Sequence, residues 1–424
     1  MDRRHFLRTT ASVGFVVAVD GIVVACESDS PDSGPSASDT SPTRSGPSTT
    51  EAPPPTSGTT PPSDVTTSEV TATTDRRAEI TRYGPLADTP DANGLLLPAG
   101  FTSQLLATAG QPVAGTDHRW HLFPDGGACF PLDDGGWVYA NNSESPADGG
   151  AGAGALRFDA EGNIVDAYSI LEGTTWNCAG GAMPWGTWLS CEEIQFGQVW
   201  ECDPLGVTAA QPRPVMGRFR HEAAAADPER QVVYLSEDEP DGLLYRFRPR
   251  SWGDLSEGEL EALAVTADGV MSWVPVRGTG GPGRIPTRYD APGATAFAGG
   301  EGIALDGNIL YLTTKGDNRI SRLDLDRSQL TVYWDGEPLY GPDNLAVHAA
   351  TGNLFACEDG GDMEVVMITP DGHGDPFLRF VGHDGSEVTG AAFDPTGTRL
   401  IVNSQRAPTP PTFDGSTYMI SGPF

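Results

Sequence analysis

The chain has 424 residues, of which 53 are glycine and 36 proline, and only 38% are hydrophobic. This composition describes a turn-rich globular domain with a polar appendage and excludes a helical bundle, a coiled coil and a polytopic membrane protein. With 58 acidic against 26 basic residues, a formal net charge of −32, the surface repels nucleic acid and anionic lipid, whose recognition needs clustered Lys and Arg.

The N-terminus begins Asp2-Arg3-Arg4-His5-Phe6-Leu7-Arg8, a paired arginine of the twin-arginine export type. An apolar stretch from Ala11 to Ala25 follows, interrupted by Asp20; it is too short for a membrane span of about 20 residues. It ends Val23-Val24-Ala25-Cys26, which is similar to a lipoprotein cleavage box. Residues 1–26 are thus expected to be an export signal with Cys26 as a lipidation site. Residues 27–77 are rich in Ser, Thr and Pro and cannot bury a core, so they read as a disordered tether.

From 78 to 424 a pair of strands with a turn between them recurs. Gly127–Phe130 leads to Gly136–Asn142, Gly180–Met183 to Thr187–Glu193, and Glu222–Ala225 to Val232–Asp238. Glu301–Ala304 then leads to Ile309–Lys315, Asn344–Val347 to Asn353–Asp359, and Thr389–Phe393 to Leu400–Gln405. Most starts lie about 42 to 53 residues apart, the period of a propeller blade. The expected fold is an all-β, six-bladed β-propeller. The long gap after the third copy reads as an insertion at about 248–296, with a short helix over Leu255–Ala264.

The repeat also locates a site. Polar residues recur at two phases. One opens the inner strand: Glu222, Glu301, and Asp343 with Asn344. The other closes the next strand: Asn142 with Glu144, Glu192 with Glu193, Glu237 with Asp238, Lys315 with Asp317, and Glu358 with Asp359. In a propeller these phases converge on one axis, where crowded carboxylates need counter-charge. Bound cations supply it, and oxygen ligands suit Ca²⁺ or Mg²⁺.

Five cysteines follow Cys26: 129, 178, 191, 202 and 357. Cys191 and Cys202 flank a short turn, so a disulfide is expected if they pair directly across two strands. Cys178 lies at the mouth of the second copy, where a thiolate would favour iron or zinc over calcium; a buried cysteine or a disulfide with Cys129 or Cys357 is the other reading. Lys315 is the only lysine in the chain and could hold an anionic group among the acids. His221, beside Glu222, reads as a packed neighbour of the site.

The segments Asn177–Gly181, Pro184–Glu193, Gly217–Glu222, Tyr234–Asp238 and Glu301–Ala304 resemble PhoX-type bacterial alkaline phosphatases and their relatives. The resemblance implies a six-bladed propeller, exported by the twin-arginine route, that hydrolyses phosphomonoesters at calcium ions and an oxide-bridged pair of Fe³⁺ ions. By the same resemblance Cys178 is an iron ligand, and Glu193, Glu222, Asp238 and Glu301 are carboxylate ligands. Asn142 and Glu144 match an Asn-x-Glu element near calcium. The family arginine two residues before Glu301 is Gly299 here, the central His of Asn-His-Glu is Ser143, and the late Gln-His-Pro is Gln405-Arg406-Ala407.

The expected function is therefore a metal-dependent phosphomonoesterase taking a small anionic ester, with Lys315 and Glu301 as catalytic residues. The expected state is a monomer at the outer face of the membrane or beyond it, touching the membrane only through its signal or lipid anchor. A calcium-dependent lactonase-like hydrolase and a non-catalytic ligand-binding propeller are the alternatives.

Overall fold

A computed structural model describes residues 83–406 and 415–424. The expected signal at 1–26, its Cys26, and the tether at 27–77 lie outside the described residues.

Six antiparallel sheets make up the described chain. Blade 1 comprises Pro124–Pro131, Trp137–Ser143, Gly152–Phe158 and Ile164–Glu172, and blade 2 comprises Asn177–Ala182, Trp188–Glu192, Val199–Cys202 and Gln211–Pro212. Blade 3 has five strands: His221–Asp227, Val232–Glu237, Leu244–Ser251, Asp254–Val265 and Met271–Pro275. Blade 4 runs Gly300–Asp306, Ile309–Thr314, Arg319–Asp324 and Gln329–Trp334. Blade 5 runs Pro342–Val347, Leu354–Glu358, Glu364–Ile368 and Gly374–Phe380, with Leu95–Leu96 on its outer edge. Blade 6 takes Val388–Phe393, Arg399–Ser404 and Ser416–Ser421 from the C-terminal part and Thr102–Thr108 from the N-terminal part. That last pairing, Thr102 opposite Ser421, closes the ring and leaves no open sheet edge between first and last blades.

The first strands of the six blades pack side by side around the axis in chain order. Each blade has two covered faces, which explains why second strands such as Val232–Glu237 are buried throughout rather than alternating. The apolar side chains divide into six clusters, one between each pair of neighbouring blades. The all-β six-bladed propeller is the fold observed.

Two local expectations are corrected. Leu255–Ala264 is not helical; it lies within the strand Asp254–Val265, and residues 248–296 carry the outer strands of blade 3 rather than an insertion alone. Leu255, Leu260 and Ala262 pack into the cluster shared with blade 2, while Leu263 packs toward blade 4; the two-sided burial of a strand imitated a helical spacing. The expected Cys191–Cys202 disulfide is absent, and all five described cysteines are free. Register is the reason: Cys191 pairs with Val199, and Cys202 with Trp188. The two thiols lie in different inter-blade clusters, Cys191 toward blade 3 and Cys202 toward blade 1.

Candidate metal centre

One register feature builds the site. In every blade the inner strand begins with a paired residue and then slips: Pro124 opposite Ser143, Asn177 opposite Glu192, His221 opposite Glu237, Gly300 opposite Thr314, Pro342 opposite Glu358, and Val388 opposite Ser404. The residue that follows on the inner strand occupies the same slot six times: Asp125, Cys178, Glu222, Glu301, Asp343 and Thr389. The residue after the partner occupies a second slot: Glu144, Glu193, Asp238, Lys315, Asp359 and Gln405. A third slot lies two residues before the first: Phe123, Trp176, Arg220, Gly299, Gly341 and Glu387. In all six blades the backbone carbonyl of this third residue accepts the N–H of the second-slot residue, at 2.8–3.2 Å. The axial end therefore carries three stacked rings of six positions.

Strand alternation separates the acidic pairs. Glu193, Asp238 and Asp359 line the axial funnel. Their neighbours turn away and tie down the blades. Glu237 accepts hydrogen bonds from the Tyr245 hydroxyl at 2.8 Å and Leu243 N at 3.1 Å, and pairs with Arg288 at 3.0 Å. Glu358 accepts from Tyr340 N at 2.8 Å and Glu364 N at 3.0 Å. Glu192 accepts from Gln198 N at 3.1 Å.

The funnel, about 440 Å³, is lined by Glu144, Cys178, Glu193, Asp238, Glu301, Asp343, Asp359 and Glu387, with Arg220, Lys315 and Arg406 among them. Four overlapping groups have ligand atoms within 4.8 Å of one another: Asp125, Glu144 and Cys178; Cys178, Glu193 and Glu222; Glu222, Glu301 and Asp343; Asp343, Asp359 and Glu387. Counting Asp125 and Glu222, nine carboxyl groups and a thiol meet three cations.

Electrostatics follow from that imbalance. Burial first, then their acidic neighbours, raise Asp125, Glu144, Glu222, Glu301 and Glu387 well above the usual carboxylate range. Asp343 is pushed up to about 7 by burial, with Lys315 opposing. Burial disfavours charge on Lys315, but Glu301, Asp343 and Asp359 outweigh it and hold the ammonium well above its ordinary value. Lys315 Nζ lies 3.0 Å from Glu301 and 3.2 Å from Asp359. Arg220 pairs with Glu193 and lies 4.0 Å from Asp238. Arg406 lies 2.9 Å from Glu387 and 3.9 Å from Glu144.

Of the expected ligands, Cys178, Glu193, Glu222, Asp238, Glu301 and Glu144 come together around this funnel. Asn142 lies differently: its amide donates to the carbonyls of Cys178 and Ala179, at 3.2 and 2.7 Å, and accepts from Trp188 Nε1 at 2.9 Å. It holds the strand bearing Cys178. Both residues expected to be catalytic, Lys315 and Glu301, face one another in the funnel. His221 is buried, stacks on Phe219 at 3.6 Å between ring centroids, and is held neutral, its pKa pushed down to about 3 by burial. Asp125, Glu387 and Arg220 were not singled out as site residues in the sequence; their signal is the slot itself, visible only once register is known. Arg406, noted there only as a departure from the family's Gln-His-Pro, enters the funnel one residue after the second-slot Gln405.

Cations fit this donor set. Oδ1 of Asp125 and Oε2 of Glu222 are buried with no hydrogen-bond partner among the described residues, whereas Glu301 Oε1 has the Lys315 ammonium at 3.0 Å. Two orphaned buried carboxylate oxygens within one acid cluster are costly unless a cation completes them.

Fold and site together define a six-bladed propeller whose axial funnel is lined with acids in groupings suited to cations. The family model Alkaline phosphatase PhoX matches residues 139–195 and 193–329. The matched residues contain every segment that carries the resemblance to PhoX-type phosphatases except the late Gln405-Arg406-Ala407. PhoX of Pseudomonas fluorescens, solved with vanadate as a transition-state analogue, superposes with a TM-score of 0.66 at 19% identity, covering 80% of this chain and 97% of that one. The calcium-binding protein regucalcin of Agrobacterium tumefaciens gives a TM-score of 0.41 at 15% identity, over 76% of this chain and 96% of that one. Among curated proteins, sequence comparison finds no match.

Proposed function

We propose that this protein is an exported, metal-dependent phosphomonoesterase of the PhoX type. The observation that carries this reading is the pairing of two opposite demands in one funnel. Buried acids with orphaned oxygens call for cations, and three basic side chains stand ready for an anion. A plain cation store would not need Arg220, Lys315 and Arg406 there. The lactonase-like and non-catalytic alternatives leave those cations and the axial thiol without a role.

The two groups that share Cys178 combine sulfur with carboxylate oxygen and suit iron; the all-oxygen groups around Glu222, Glu301, Asp343, Asp359 and Glu387 suit calcium. When bound, such ions polarise phosphoryl oxygens and supply an activated oxygen nucleophile. The chain's own residues do the rest. Arg220, Lys315 and Arg406 draw the phosphate dianion into the funnel and neutralise its oxygens. Glu301 and Asp359 hold Lys315 between them, so its ammonium is oriented before substrate arrives. The arginine that the phosphatases carry before Glu301 would occupy the third slot of blade 4. Gly299 stands there with φ +70, and a Cβ on it would lie 3.1 Å from Asp238. Arg220 occupies the same slot one blade earlier, and with Lys315 it supplies the positive charge.

Export by the twin-arginine route and anchoring through Cys26 rest on the N-terminal sequence. They fit a cluster that must be loaded before the chain leaves the cell. A monomer acting on a small phosphate ester completes the reading.

The test is protein made through its native export route, analysed for metals and assayed on p-nitrophenyl phosphate. Iron together with calcium, and turnover abolished by a chelator, is the expected result. Turnover unaffected by chelation, or none with the metals fully loaded, overturns the proposal.

A further inference from the structure

Trp176 occupies the third slot of blade 2, at the outer lip of the funnel, and lines it together with Ile194. Its backbone lies in the left-handed region, with φ 49. That conformation is unfavourable for a bulky side chain and natural for glycine. The equivalent slots of blades 4 and 5 hold Gly299 and Gly341, at φ +70 and +52. The slot thus accepts glycine, yet blade 2 places the largest side chain there and leaves it 39% exposed. Core packing does not require an indole at an exposed lip. Two hydrogen bonds fix it: Trp176 N donates to the Ser145 carbonyl at 2.8 Å, and its carbonyl accepts the N–H of Glu193 at 2.8 Å. Its position is therefore tied directly to a residue of the acidic ring.

The wall is one-sided. Gly341 of blade 5 lies across the axis from Trp176, with Gly299 of blade 4 beside it, so those two facing slots carry no side chain, and the next one on that side is Glu387 of blade 6. A ligand held by its phosphate among Arg220, Lys315 and Arg406 has its remaining part directed outward past this lip. On one side it meets an indole and an aliphatic residue; on the other it meets the backbone of two glycines, solvent and the acidic Glu387.

We infer that Trp176 receives the alcohol portion of the ester and selects phosphomonoesters whose departing alcohol carries a planar aromatic ring, whether a phenol or a nucleoside. The inference rests on the phosphomonoesterase reading for the position of the phosphate. Stacking on an exposed indole tolerates many ring types, because every ring presents a π-face, and it is typically worth about tenfold or more in affinity.

The experiment measures binding rather than turnover, so its failure is distinct from that of the enzymatic reading. Phenylphosphonate and methylphosphonate are titrated calorimetrically into the metal-loaded full chain, as wild type, Trp176→Ala and Trp176→Phe. The wild type is expected to bind the phenyl compound about tenfold more tightly than the methyl one. Trp176→Ala is expected to reduce that ratio to within about threefold, and Trp176→Phe to restore most of it. Methylphosphonate affinity should be the same in all three. An unchanged phenyl-to-methyl ratio in Trp176→Ala, equal loss of both ligands, or no binding of either compound to the wild type overturns the inference. An enzyme assay on p-nitrophenyl phosphate and a nucleoside 5′-monophosphate against glycerol 2-phosphate then separates aryl from nucleotide preference.

Discussion

Cys178 donates its thiol proton to Oε1 of Glu222 at 3.2 Å, although 44 residues separate them in the chain. Burial, followed by Asp125 and Glu222, raises the thiol well above its ordinary pKa. Without metal this is a neutral hydrogen-bonded pair. A thiolate-binding cation such as iron must displace the proton to gain the thiolate. Cys178→Ser keeps the size and the hydrogen bond but offers a hard, weak ligand. We expect the variant to fold with stability within about 1 kcal/mol of the metal-free parent, to lose its iron while keeping calcium, and to lose phosphatase activity about 100-fold or more. Elemental analysis beside thermal melts checks this. Unchanged iron content would remove Cys178 from the metal site.

On the proposed reading, Lys315 serves the substrate's charge and not the metals'. It bridges Glu301 and Asp359, and its removal leaves the funnel more negative. Lys315→Gln is therefore expected to bind calcium at least as tightly as the parent while phosphate-ester turnover falls about 10- to 100-fold, the range for losing one charged hydrogen bond to the transferring group. Calcium titration and steady-state kinetics on the same preparation read both quantities. Loss of metal together with activity would make Lys315 a structural counter-ion instead.

The acids also set a pH dependence. Asp343 and Glu237 are raised to about 7 and Glu358 to about 8, burial being the leading cause in each. The unfolded chain releases these protons near the ordinary carboxylate range of about 4 to 4.5. Between roughly pH 4.5 and 8 the folded state thus holds more protons than the unfolded one. Stability of the metal-free protein must fall as pH rises through that window, by about 1.36 kcal/mol per pH unit for each extra proton retained. Thermal melts in chelator at pH 5, 6, 7 and 8 should show a steadily lower Tm. Saturating calcium should flatten or reverse the trend, because the ionised carboxylates are then the binding form. A Tm that rises with pH in chelator contradicts the assignment.

The repeat of strand pairs was legible because each blade buries both faces of its inner strands, leaving apolar runs at a regular period. The second ring was legible as the trailing member of each acidic pair: Glu193, Asp238, Asp359 and, by phase, Lys315. Asp125 and Glu387 were hidden by alignment. Starting the first two copies at Asp125 and Cys178, two residues before Gly127 and Gly180, and the fifth at Asp343, one before Asn344, brings all six first-slot residues into phase, and Glu387 then falls two residues before Thr389. Which member of a pair faces the axis, and whether Cys191 meets Cys202, depends on register. Register is set by the turn between the strands, at a precision that strand propensity does not carry. The outer strands of blade 3 were illegible for another reason: Asp254–Val265 alternates only at its three glutamates, 257, 259 and 261, and buries Ala262 and Leu263 in succession, so its apolar residues keep no period of two.

Tight approach of the inner strands gives a prediction that tests the architecture of the site without touching a ligand. Gly180 lies two residues past Cys178, and a Cβ there would sit 1.8 Å from the Leu189 carbonyl oxygen and 2.9 Å from the Trp188 ring. Backbone must move to admit it. Gly180→Ala is expected to destabilise the protein by about 2–4 kcal/mol and, because the displaced strand carries Cys178, to weaken iron retention as well. Gly372→Ala is the control: its φ is +84, but a Cβ there meets nothing within 4 Å. That change should cost only the local strain of about 1 kcal/mol and leave metal content intact. Denaturant melts and elemental analysis of both variants decide the matter. Equal destabilisation with full metal loading in Gly180→Ala would mean that the first ring does not depend on the close packing of its strands.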